Sequence, residues 1–117
     1  MLKKIITAFL TLFVVAACGI FEDLGEAKNL VKEKRYEKAI EVLNDFKTTR
    51  AKNYNSEVHE EFALYKLSDL KIDKHQRYRE AKELLDKAIK LNPKNLEAKN
   101  YFLMTTKTLH YEFPESN

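Results

Sequence analysis

Residues 78–93 read Tyr78-Arg79-Glu80-Ala81-Lys82-Glu83-Leu84-Leu85-Asp86-Lys87-Ala88-Ile89-Lys90-Leu91-Asn92-Pro93. Tyr78, Ala81, Leu84, Leu85, Ala88 and Ile89 recur at steps of three and four, which is one face of an α-helix. The residues between them are mostly charged, so the opposite face is solvated. Asn92-Pro93 closes the stretch, because proline has no N–H to donate and pushes the residue before it out of helical geometry. The spacing predicts a helix over about 77–91.

The same period recurs on both sides. Leu24, Ala27, Leu30 and Val31 predict a helix over 21–33. Tyr36, Ala39, Ile40, Leu43 and Phe46 predict one over 36–48. Val58, Phe62, Tyr65 and Leu70, widened by Ala63, Leu64 and Leu67, predict a third over 56–72, with Ser56 as its N-cap. Leu96, Tyr101, Phe102, Thr105 and Leu109 predict a fifth over 96–112, stopped by Pro114. Only two glycines and two prolines punctuate the chain, as suits an all-α fold.

Two of these helices align. Tyr36-Glu37-Lys38-Ala39-Ile40-Glu41-Val42-Leu43 can be laid on Tyr78-Arg79-Glu80-Ala81-Lys82-Glu83-Leu84-Leu85, and Ala88, Asn92 and Pro93 follow the second. An aromatic, a small alanine at the crossing, a second small residue and a closing Asn-Pro resemble the second helix of a tetratricopeptide repeat, a helix–turn–helix unit of about 34 residues. The resemblance implies two helix pairs, over about 20–53 and 62–95, with the fifth helix as a cap. The chain has no tryptophan, and the first unit lacks the closing proline at 49–52. Ala39 and Ala81 lie 42 residues apart, and the excess over the repeat period is read as an extended loop over 50–57 running into a longer third helix. A plain five-helix bundle is the alternative.

The N-terminus has three zones. Lys3 and Lys4 are basic, residues 5–17 are apolar apart from Thr7 and Thr11, and Ala16, Ala17, Cys18 and Gly19 are small. This is the layout of a secretory signal peptide. Its 13-residue apolar stretch falls short of the about 20 residues that span a bilayer. Val15-Ala16-Ala17-Cys18 resembles the bacterial lipobox. That resemblance implies cleavage before Cys18 and a lipid on its thiol, with two or three chains giving firm anchoring where one gives little. An ordinary signal peptide with a chance cysteine is the alternative. The expected organisation is a lipoprotein signal peptide (1–17), a lipidated N-terminus and minimal tether (18–20), a helical domain (21–112) and a tail (113–117). So short a tether would hold the domain close to the membrane, with Phe21 near the headgroups. Gly19 in place of aspartate favours the outer membrane in a host that has one.

Composition narrows the function. Two of the 21 basic residues lie in the signal segment, which leaves 19 against 18 acidic ones. So even a balance gives no argument for nucleic-acid binding and suits a helical surface laced with ion pairs. Cys18 is the only cysteine, which excludes an internal disulfide. His59-Glu60-Glu61-Phe62-Ala63 starts like a zinc-protease motif, but Ala63 stands where the second histidine must be. His59, His75 and His110 show no ligand spacing and are expected on the surface. Glu22/Asp23 and Glu60/Glu61 are adjacent pairs, which diverge on a helix and are expected as solvated charges. No metal, no cofactor beyond the lipid and no enzymatic activity are expected.

A partner-binding face remains. In tetratricopeptide proteins the first helix of each pair lines an inner groove. Carried onto this chain, the resemblance puts Lys28 and Lys32, then Lys66, Leu70 and Lys74, then Asn100, Met104 and Lys107 in that groove. A lysine-rich lining favours an acidic segment or a carboxylate terminus, although the carboxylate-clamp pattern of chaperone-binding repeats is not reproduced. Lysine is abundant throughout, so a solvated face is the competing reading. The expected function is a membrane-anchored adaptor or assembly factor for other proteins of the bacterial envelope. A small inhibitory or protective lipoprotein and a homo-oligomer paired through its fifth helix are the alternatives.

Overall fold

A computed structural model describes residues 24–116. The expected signal segment, Cys18, the expected tether and Phe21 lie outside the described residues. Within them the fold is all-α: α1 (24–32), α2 (Tyr36–Asn44), α3 (Thr49–Ser68), α4 (Lys74–Leu91), α5 (Leu96–Glu112) and a 3-10 turn, Pro114–Ser116. Among the described residues there is no helix long and apolar enough to cross a membrane.

Local chemistry sets the boundaries. At the end of α1 the Lys34 N–H bonds the Val31 carbonyl at 2.9 Å and the Arg35 N–H bonds the Leu30 carbonyl at 2.8 Å. These are the two bonds of a Schellman cap. They put Lys34 at φ 60°, a left-handed position usually given to glycine. Thr48, Asp73 and Asn95 cap α3, α4 and α5, each side chain accepting a backbone N–H three residues on at 3.0–3.1 Å. The Asn92 N–H closes α4 on the Ala88 carbonyl, just before Pro93.

The third helix departs from the sequence reading. It begins at Thr49 rather than at Ser56, so 50–57 is helix and not loop. The reason is the fate of its polar side chains. Asn55 Nδ2 donates to Asn44 Oδ1 on α2 at 3.0 Å. Ser56 is no N-cap: it is buried mid-helix, and its Oγ donates to the Ala88 carbonyl of α4 at 2.6 Å. The Asn95 amide donates back to Ser56 Oγ at 3.1 Å. Unpaired, such groups would cost about 1–3 kcal/mol each to bury; the Asn55 amide nitrogen and the Ser56 hydroxyl are paired, and of these atoms only Asn55 Oδ1 lacks a partner. At its other end α3 stops at Ser68, so Leu70 falls in the following turn, 83% exposed. Helix α2 ends early, at Asn44, and α4 starts early, at Lys74.

Two apolar clusters form the core, and α3 belongs to both. Leu24, Ala27 and Leu30 of α1 meet Tyr36, Ala39 and Leu43 of α2 and Ala51, Val58 and Phe62 of α3. Ala63 of α3 meets Ala81, Leu85 and Ala88 of α4 and Ala98 of α5. Leu84 packs against both clusters. Full burial of a leucine such as Leu43 or Leu85 is worth about 1.5–3 kcal/mol. Ala27, Ala39, Ala63, Ala81, Ala88 and Ala98 have no exposed surface, so no larger side chain separates the helices there.

Candidate partner-binding surface

Among the described residues, open hollows lie on two sides of α3. The larger, about 570 Å³, lies between the α1–α2 turn and the C-terminal half of α3. Its floor is aromatic. Tyr36 opens α2, and its ring stacks on Phe62 with centroids 5.2 Å apart and sits 5.6 Å from Tyr65. Phe62 and Tyr65, three residues apart on α3, share one face. Burial first, then the Glu61 carboxylate, raises the Tyr36 phenol above its ordinary value of 10, so it stays neutral.

Cations rim this floor. Lys34 Nζ lies 5.8 Å from the centre of the Tyr65 ring and Lys66 Nζ 5.4 Å from that of Phe62, within cation–π reach. Lys66 also pairs with Glu80 at 3.4 Å, Arg35 with Glu33 at 3.6 Å and Lys38 with Glu41 at 3.4 Å. The Arg35 and Lys38 pairs are solvent-exposed and worth about 0–1 kcal/mol, so a carboxylate on a ligand can replace the internal one there at little cost, whereas the Lys66–Glu80 pair is largely buried.

The smaller hollow, about 440 Å³, lies between α1 and the start of α3. Leu24, Lys28, Arg50 and Tyr54 line it, and Lys28 Nζ is 5.9 Å from the Tyr54 ring centre.

The predicted groove residues are thus distributed. Lys28 lies in the smaller hollow and Lys66 in the larger. Lys32 is exposed at the end of α1, and Leu70 is exposed beyond α3. Lys74 is committed to Glu112 at 2.7 Å and lies over the Tyr78 ring. Asn100, Met104 and Lys107 are exposed along α5. Lys34, Tyr36 and Tyr65, which shape the larger hollow with Lys66, are absent from that set. Tyr36 and Tyr65 read in the sequence as core, and nothing in the sequence put Lys34 beside them.

A polar seam crosses α3 on another side. His59, expected on the surface, is 6% exposed, and its Nδ1 lies 2.8 Å from the Asn55 carbonyl. Burial lowers its pKa below 6.5; the carbonyl bond opposes the shift and Lys87 reinforces it. Glu60, expected as a solvated charge, is 7% exposed. Its carboxyl lies beside the Asn95 amide and the Glu97 carboxyl. Burial raises its pKa most; Glu97 and the Glu57 charge raise it further, and the Asn95 amide opposes. Glu97 is itself exposed, and neither carboxyl lines either hollow. His75 stacks on Phe113 at 4.6 Å, and His110 packs edge-on against Tyr111 at 5.2 Å. Among the described residues no three His, Cys, Asp or Glu side chains gather as metal ligands would.

The larger hollow is suited to binding: an aromatic floor for an apolar side chain and ammonium groups at the edge for a carboxylate. No protein-family model, no curated protein and no solved structure matches this chain.

Proposed function

We propose that the protein is a lipid-anchored adaptor of the bacterial envelope, built on tetratricopeptide-like helix pairs, that holds a segment of another envelope protein. The observation that carries the reading is the set of six alanines without exposed surface between successive helices. It supports close-packed helix pairs, α1 with α2 and α3 with α4, capped by α5. The aromatic hollow with Lys34 and Lys66 at its rim supports a partner segment that combines an apolar side chain with acidic ones. The lipobox-like Val15-Ala16-Ala17-Cys18 supports the anchor.

In-cell crosslinking with mass spectrometry tests the function. Adducts with several subunits of one envelope assembly are expected; a single enzyme in one-to-one ratio would favour the inhibitor reading instead. For the anchor, Cys18→Ala is expected to abolish lipid labelling and leave a larger precursor; normal processing of that variant would exclude it.

A further inference from the structure

Helix α5 is apolar on two opposite sides. Ala98, Thr105 and Leu109 are buried toward α4. On the far side Leu96 is 69% exposed, Tyr111 78%, and Leu103 and Met104 about half. With Asn100 and Lys107 they form one stripe about 100° wide, the width of a helix face that packs against something. The outward face of a surface helix is ordinarily polar, and an exposed apolar stripe marks a contact site.

The order of residues along the stripe points to the occupant. Leu96 and Tyr111 are equidistant from the midpoint between Leu103 and Met104, and so are Asn100 and Lys107. A two-fold axis at that midpoint therefore sets Leu96 against Tyr111 of a second copy, Asn100 against Lys107, and Leu103 against Met104. A two-fold contact requires such self-complementarity. On the flanks, which a two-fold keeps on their own sides, Glu97 lies opposite Thr108 and Lys99 opposite His110, so no two carboxylates and no two lysines meet. We infer that two copies of the chain pair antiparallel through the outer face of α5. The contact uses none of the residues lining the two hollows, so it goes beyond the adaptor reading and stands or falls apart from it. The stripe is about 22 Å long and offers less than the about 800 Å² per partner of a stable interface, so the pair is weak and concentration-dependent.

Disulfide trapping in the full chain tests this, with Cys18→Ser removing the native thiol and detergent in excess. Met104→Cys, beside the axis, is expected to give disulfide-linked dimers on mild oxidation. Leu96→Cys alone is expected not to, because its two copies lie about 22 Å apart along the helices. Mixing Leu96→Cys with Tyr111→Cys chains is expected to restore the crosslink. Adding Leu103→Glu to Met104→Cys is expected to cut the dimer yield at least tenfold, with helicity unchanged by circular dichroism. Yields from Met104→Cys no higher than from the off-stripe Lys99→Cys would overturn the inference. So would equal yields from Leu96→Cys alone, or a crosslink that survives Leu103→Glu.

Discussion

Ser56→Ala is a sharp perturbation of this fold because the hydroxyl joins three helices. Its Oγ donates to the Ala88 carbonyl at 2.6 Å and accepts from the Asn95 amide at 3.1 Å. The substitution removes two buried hydrogen bonds, each worth about 1 kcal/mol net. The Ala88 carbonyl is not orphaned, since the Asn92 N–H still bonds it at 3.0 Å. The Asn95 amide loses one acceptor but is only half-buried and can turn to water. The expected loss is therefore about 2 kcal/mol, or roughly 10 °C in melting temperature for a domain of this size. Asn95→Ala removes the same bond together with the α5 cap, itself worth about 1 kcal/mol. A double-mutant cycle in urea, followed by circular dichroism, is expected to return a coupling of about 1 kcal/mol between the two. Were Ser56 an exposed N-cap, Ser56→Ala would cost about 1 kcal/mol and the coupling would vanish. A coupling below about 0.3 kcal/mol, the limit of ordinary additivity, would refute the three-helix junction.

Three further outcomes are expected. Glu60 has its pKa raised in the fold, so the protonated form is favoured; its contribution is present below the ordinary glutamate value and is lost as pH rises through the raised one. Glu60→Gln, which keeps the side chain's size without the charge, is expected to raise stability at pH 7 and leave it unchanged near pH 4; equal pH profiles for the two chains would contradict this. Ala81→Leu puts a larger side chain where no surface is exposed, and calorimetry is expected to register a loss of about 1–3 kcal/mol, against less than about 0.5 kcal/mol for Glu83→Ala on the solvated face. Lys34→Gly relieves a left-handed residue that costs about 1–2 kcal/mol, offset by about 0.5–1 kcal/mol of glycine chain entropy; a slight gain in urea midpoint is expected, with weaker partner capture because a rim cation is gone.

The helices whose burial follows one clean stripe were legible in the sequence. Residues 78–91 needed only their 3.6-residue period and Asn92-Pro93, and the bounds of α5 agree with the reading from Leu96 and Pro114. Helix α3 was harder because Asn55, Ser56, His59 and Glu60 face inward. A hydrophobic pattern cannot announce a buried polar residue whose partner lies about 30–40 positions away, as Ala88 and Asn95 do from Ser56. Those partners exist only once α3, α4 and α5 have packed. The candidate surface was partly hidden for a related reason. Tyr36 and Phe62 read as core and are core, but their edges also floor the hollow. Lysine count could not separate Lys34 and Lys66, which line the aromatic hollow, from Lys74, which lies outside it.

Site-specific photocrosslinking from position 65 in living cells tests the adaptor claim most directly. Tyr65 edges the aromatic hollow and is partly exposed, so a photoreactive residue there touches whatever occupies it. The account predicts adducts with another envelope protein, mapped to a segment rich in acidic residues and weakened by Lys34→Glu. No adduct beyond that formed from exposed position 83, or adducts indifferent to Lys34→Glu, would contradict it.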